Sequence, residues 1–180
     1  MPGKNVLITI ASVGIIISLL LISIFVFQNN NIEEKLEIPE KYRNWEINVT
    51  GKIKTELNIS LETLVDLPSE KITYFLKGGE IDENITFTGV FLSYLLNNTI
   101  SLNGTINYIV FKSEDSFTMS FKYDDLIKHS TVMLAYMRNG DFMLGSEEDE
   151  EGPVRLIIPN SYADFNKQFC LKHITEISFI

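Results

Sequence analysis

GPVRLIIPN, residues Gly152 to Asn160, sets an arginine at the head of an apolar, β-branched run. Leu156, Ile157 and Ile158 read as a buried strand, closed at one end by Gly152-Pro153 and at the other by Pro159-Asn160. Burying a guanidinium beside such a run is expensive unless the charge meets a partner. An internal carboxylate such as Asp115 or Glu176 would make Arg155 a strut that pins loops together.

Outward from this stretch, strand signals recur along the chain. Trp45 to Val49 and Thr55 to Ser60 alternate apolar and polar residues at the strand period. Ser60 can cap a short helix carrying Leu61, Leu64 and Val65, which must end before Pro68. Ile72 to Leu76 reads as a strand broken by Gly78-Gly79, and the stretch after Gly89, VFLSYLLNN, has helical spacing. Tyr108 to Lys112 and Phe117 to Phe121 predict a hairpin around residues 113–116. A short helix over Tyr123 to Lys128 follows, with Asp124 and Asp125 at its N-terminal end. Val132 to Met137 predicts a central strand ended by Asn139-Gly140, and Ile174 to Phe179 a last one. Many short strands with three short helices predict an α+β domain, built mainly from sheet, over residues 45–180. Neither a repeat nor a dinucleotide glycine fingerprint is present.

The N-terminus has a different composition. Val6 to Phe27 contains no charge and no proline. As a helix it would extend roughly 33 Å at ~1.5 Å per residue, enough to cross a bilayer core. It ends in Phe25-Val26-Phe27-Gln28, without a small-residue cleavage pattern, which favours an uncleaved signal anchor over 5–27. Lys4 precedes the span and Glu33 and Glu34 follow it, predicting a cytoplasmic N-terminus (residues 1–4) and an extracytoplasmic domain. The polar residues 28–44, with Pro39, read as a spacer.

Charge and single residues exclude several function classes. A net charge of −9 and a pI of 4.7, with no basic patch, argue against a nucleic-acid partner. The acidic run Glu147 to Glu151 lacks the spaced ligands of a calcium loop and reads as a solvated loop. His129 and His173 have no metal-ligand spacing, and no metal site is expected. Cys170, the only cysteine, cannot form an intramolecular disulfide and reads as a small buried hydrophobe. Sequons at Asn48, Asn58, Asn84, Asn97 and Asn103 are consistent with a glycosylated surface. No nucleophile-elbow pattern supports a catalytic triad.

The order of the segments is distinctive. Trp45-Glu46-Ile47, Val49-Thr50-Gly51, ISLETLVDLP (Ile59 to Pro68), FTGVFLSYLL (Phe87 to Leu96), FKSEDSF (Phe111 to Phe117), MLAYMRNGDFM (Met133 to Met143), GPVRLIIP and CLKHITEI (Cys170 to Ile177) follow one another. Together they resemble the oxidoreductase molybdopterin-binding domain of the sulfite oxidase family, across residues 45–180. The resemblance implies that family's compact mixed-sheet α+β fold, with a cleft able to hold molybdopterin. It also implies that Arg155 and Lys172 lie on the pterin-phosphate side of that cleft. A guanidinium binds phosphate oxygens bidentately and an ammonium adds a point charge. The family's redox members ligate molybdenum through a cysteine, and Leu76 stands about where that thiolate would be. The expected function is therefore an anchored domain binding a pterin, another anionic ligand or an extracytoplasmic or membrane partner protein, without sulfite-oxidase-type redox chemistry. Two alternatives stay open: a molybdenum oxidoreductase holding its cofactor through the pterin alone, and a surface glycoprotein with no small-molecule site.

Overall fold

The computed structural model describes residues 36–76, 83–143, 152–158 and 171–180. The expected anchor over 5–27, the acidic run and Cys170 lie outside them. The chain divides into Met1–Glu37 and a compact unit, Ile38–Ile180, which holds every element described.

A 3₁₀ turn over Glu40–Tyr42 leads into β1 (Glu46–Gly51) and β2 (Leu57–Ser60), followed by α1 (Leu61–Asp66), β3 (Glu70–Leu76), β4 (Glu83–Phe91) and α2 (Leu92–Asn98). The hairpin β5 (Tyr108–Ser113) and β6 (Thr118–Lys122), then α3 (Tyr123–Ile127), come next. They are followed by β7 (Met133–Arg138), β8 (Asp141–Phe142), β9 (Arg155–Ile157) and β10 (Ile174–Phe179).

These strands build two sheets. The first has the order β2-β1-β10-β5-β6, in which β1 and β10 are parallel and the other neighbours antiparallel. In the second, β3-β4-β7 are antiparallel, and β8 and β9 both pair with β7. The mixed-sheet α+β expectation is met by this pair of sheets.

Local sequence accounts for most elements. Ile47 and Val49 of β1 turn inward while Glu46 and Asn48 face out, as strand alternation requires. Ser60 caps α1, its hydroxyl accepting from the Thr63 amide at 3.0 Å, and the helix buries Leu61 and Leu64. Met133 to Met137 are all buried, matching the apolar run of a central strand. Asn139 and Gly140, with φ of 52° and 99°, form the tight turn into β8.

Two boundaries differ from the sequence expectation. The compact unit takes in residues assigned to the spacer, because Tyr42 is buried in the main core and Ile38 packs against it. The helical stretch expected directly after Gly89 begins only at Leu92, because Gly89 lies inside β4, which runs unbroken from Glu83 to Phe91. There β4 meets β7 so closely that a Cβ would fall 2.2 Å from the Leu134 carbonyl oxygen and 2.5 Å from the Ala135 Cα. The register shifts between Thr88 and Gly89. Past that bulge, Val90 and Leu134 face the main core, while Phe87, Met133, Ala135 and Ile157 join a second cluster with Tyr74, Ile85 and Met143.

Gly89→Ala is expected to destabilise the fold by about 3 kcal/mol, the upper end for overpacking, since both clashing atoms are backbone. Ser60→Ala should cost about 1 kcal/mol for the lost cap. Urea denaturation checks both: the midpoint should fall further for Gly89→Ala, with the slope unchanged.

Candidate functional site

Arg155 opens β9 and is 4% exposed. It pairs with Ala135 of β7, which in turn pairs with Gly89 of β4. Directly opposed residues in antiparallel strands share a face, so the neighbours across the sheet from Arg155 are the two smallest on that face. The guanidinium carbon lies 5.9 Å from the centre of the Phe87 ring, within cation–π range. The second sheet thus buries the arginine along an apolar floor.

The backbone of Lys172 lies beside β9 on a different segment. The Leu156 amide donates to the Leu171 carbonyl at 2.8 Å, and the Ile174 amide donates to the Val154 carbonyl at 3.1 Å. These two bonds bracket Arg155 on one side and Lys172-His173 on the other, so two residues oppose one as in a β-bulge. The two cations expected from the sequence are therefore brought to facing backbone positions, and Lys172 is half-buried. The carboxylates considered as strut partners are engaged elsewhere. Glu176 lies 3.7 Å from the Lys112 ammonium and accepts from the Ser178 hydroxyl at 2.8 Å. Asp115 accepts from the Ser113 hydroxyl and, at 3.0 Å, from the Phe117 amide. The Ser113 bond leads the causes that hold its carboxyl below the usual range.

Trp45, Gly152 and His173, which the sequence reading did not assign to the site, surround this bulge. His173 adopts φ 51°, in the left-handed region, and its carbonyl accepts from the Glu114 amide at 2.9 Å. Its Nδ1 is 3.7 Å from the Glu114 carboxylate, and its ring centre is 6.0 Å from that of Trp45. The Trp45 indole donates to the Ile174 carbonyl at 3.0 Å. A Cβ at Gly152 would sit 2.8 Å from His173 Cε1 and 2.9 Å from the Tyr42 hydroxyl.

Leu76 ends β3 opposite Glu83; its side chain and residues 77–82 lie outside the described residues. Among the described residues, no three His, Cys, Asp or Glu side chains are grouped to hold a metal ion. An open groove of about 490 Å³, lined by Thr105, Asn107, Tyr108, Lys122, Asp124 and Lys128, lies along β5, β6 and α3 of the first sheet and includes neither Arg155 nor Lys172. No described helix is long and apolar enough to cross a membrane.

A two-sheet α+β domain with a buried arginine opposite a lysine defines a class of fold and site. Residues 35–180 match the family model of the oxidoreductase molybdopterin binding domain, and the chain belongs to that family. No curated protein matches the chain. Among solved structures it is similar to the sulfane dehydrogenase SoxCD from Paracoccus pantotrophus, with a TM-score of 0.63 and 18% identity. That alignment covers 81% of this chain and 40% of the other, a likeness of fold.

Asp115 gives the site's hairpin a measurable acid dependence. A depressed carboxyl contributes stability above its unfolded value of about 3.9, and the contribution is lost as pH falls through the folded value. Ser113→Ala should raise the Asp115 titration toward the ordinary carboxylate range, as read by carboxyl NMR. It should also shrink the loss of melting temperature between about pH 5 and about pH 2.

Proposed function

We propose that this chain is a membrane-anchored, extracytoplasmic domain that holds an anionic ligand, molybdopterin by family, between Arg155 and Lys172, without sulfite-oxidase-type redox chemistry. The observation that carries the ligand reading is the pair of hydrogen bonds that set Lys172 opposite a buried Arg155. The donor set suits a phosphate: the guanidinium can fork to two oxygens while the ammonium adds a third contact. Burial against Phe87 keeps water from screening the arginine. Bound molybdopterin would supply the redox chemistry of its metal, and these residues would bind and orient its phosphate end. Leu76, at the position the resemblance gives to a thiolate ligand, cannot ligate a metal, which is why the reading leaves out redox catalysis. The apolar run Val6 to Phe27, preceded by Lys4 and followed by Glu33 and Glu34, supports the anchor and its orientation. A domain held outside the membrane in this way would be placed to meet an extracytoplasmic or membrane protein partner.

Purified full-length protein should release a fluorescent pterin on denaturation, and Arg155→Met should lose about 2–5 kcal/mol of affinity for it. The loss would be read as disappearance of the ligand-induced rise in melting temperature. Molybdenum by elemental analysis, together with turnover, would favour a working oxidoreductase. Absence of pterin, with no thermal shift on adding cofactor, would reject the ligand reading.

Protease added to intact cells should remove the domain and leave the anchor in the membrane. Complete protection of the domain in sealed cells would overturn the topology.

A further inference from the structure

We propose that His173 positions Lys172 against Arg155 and makes anion binding there strengthen on acidification; this rests on reading the two cations as an anion site. A bulge needs one residue whose backbone departs from the strand, and here that residue is His173, at φ 51°. Histidine takes the left-handed region more readily than most side chains, though still at a cost. The turn at His173 sets Lys172 opposite Arg155, between the Leu171 and Ile174 hydrogen bonds.

The imidazole fixes that turn from three sides. Gly152 leaves it the space that a Cβ would take, the Trp45 ring lies 6.0 Å from its centre, and the β5–β6 hairpin reaches it through Glu114. Trp45 also holds the next carbonyl, that of Ile174, at 3.0 Å.

Its charge bears on the same site. From the β5–β6 hairpin it meets Glu114, 3.7 Å away, and the field of Asp115. In its own segment it follows Lys172, and the bracketing bonds set its backbone, with that of Lys172, opposite Arg155. From the N-terminal turn come Tyr42, which shares the Gly152 contact, and Lys41, 4.6 Å from the centre of the Tyr42 ring. Glu114 and Asp115 oppose an incoming anion. A proton on His173 offsets them and draws Glu114 onto the imidazole, so the field at Lys172 becomes more favourable to negative charge.

Sulfate is the probe, because it mimics a phosphate dianion while its own charge stays fixed over the range in which histidines titrate. The full chain is titrated with sulfate at about pH 8 and about pH 5.5, where a histidine changes charge, by following the amides of Arg155 and Lys172. The parent should bind at least about threefold more tightly at the lower pH. His129→Asn should keep that gain, since His129 lies outside the site. His173→Asn, which tolerates the left-handed backbone and carries no titrating ring, should bind more weakly and show no gain. Retained hydrogen-exchange protection of the Leu156 amide in that variant would confirm that the bulge persists; if protection is lost, His173→Gly replaces it, with the same flat profile expected. Sulfate binding that is independent of pH in the parent, or a parental gain that survives in the His173 variants, would overturn the inference while leaving the anion site intact. Binding that Arg155→Met does not weaken at either pH would instead remove the anion site, and the role of His173 with it.

Discussion

The hydrogen bonds from Leu156 to Leu171 and from Ile174 to Val154 join the two sheets, and much of the molecule depends on them. On one side of them β9 is held to β7 of the second sheet; on the other, Ile174 opens β10, which lies between β1 and β5 in the middle of the first. Val154, Leu156, Ile158, Leu171 and Ile174 are all buried in the main core. The same few residues therefore close the core, connect the sheets and present the two cations. The first sheet also cannot close until its last strand inserts between strands formed much earlier in the chain. Such non-local pairing slows folding relative to a fold of local contacts.

An acidic protein can hold an anion when local geometry outweighs net charge. The net charge of −9 acts through water and salt, which screen it over about 8–10 Å. In the proposed site Arg155 would act at contact distance from a buried position, where the effective dielectric is far lower. Among the described residues, Glu176 is held by Ser178 and Lys112, and Asp115 by Ser113 and the Phe117 amide. Glu114, exposed at the hairpin, lies 3.7 Å from the His173 imidazole.

How much of this was legible depended on whether the information was local. The strands over 46–51, 108–113 and 133–138 have periodic or continuous apolar patterns, and the Ser60 cap and the Asn139-Gly140 turn have chemistry that few other structures explain. β4 also alternates, Ile85 and Phe87 against Thr86 and Thr88, yet Gly89 disguised it, because a glycine inside a strand reads as a break unless the neighbouring backbone is known to lie 2.2 Å from where a Cβ would be. Tyr42 was lost in a polar stretch, since its burial depends on packing against residues distant in sequence. For the site, residue chemistry alone marked Arg155 as a charge in need of a partner, and the family resemblance added Lys172 and the pairing of the two. The bulge that opposes them is a matter of register between segments joined by residues 159–170, and the sequence carries no local sign of it.

That register also separates two requirements of a molybdopterin site. The cations are organised along β9 and the segment leading into β10, whereas Leu76 ends β3, at the opposite edge of the second sheet. β4 and β7 stand between them, so a change at the end of β3 breaks neither of the bonds that set Lys172 opposite Arg155. In the proposed reading, an aliphatic side chain at the thiolate position would remove a metal bond but leave the phosphate contacts with their own support. A domain of this family can thus lose the ligand that ties the metal to the protein and keep the machinery that recognises an anion, which is the combination proposed for this chain.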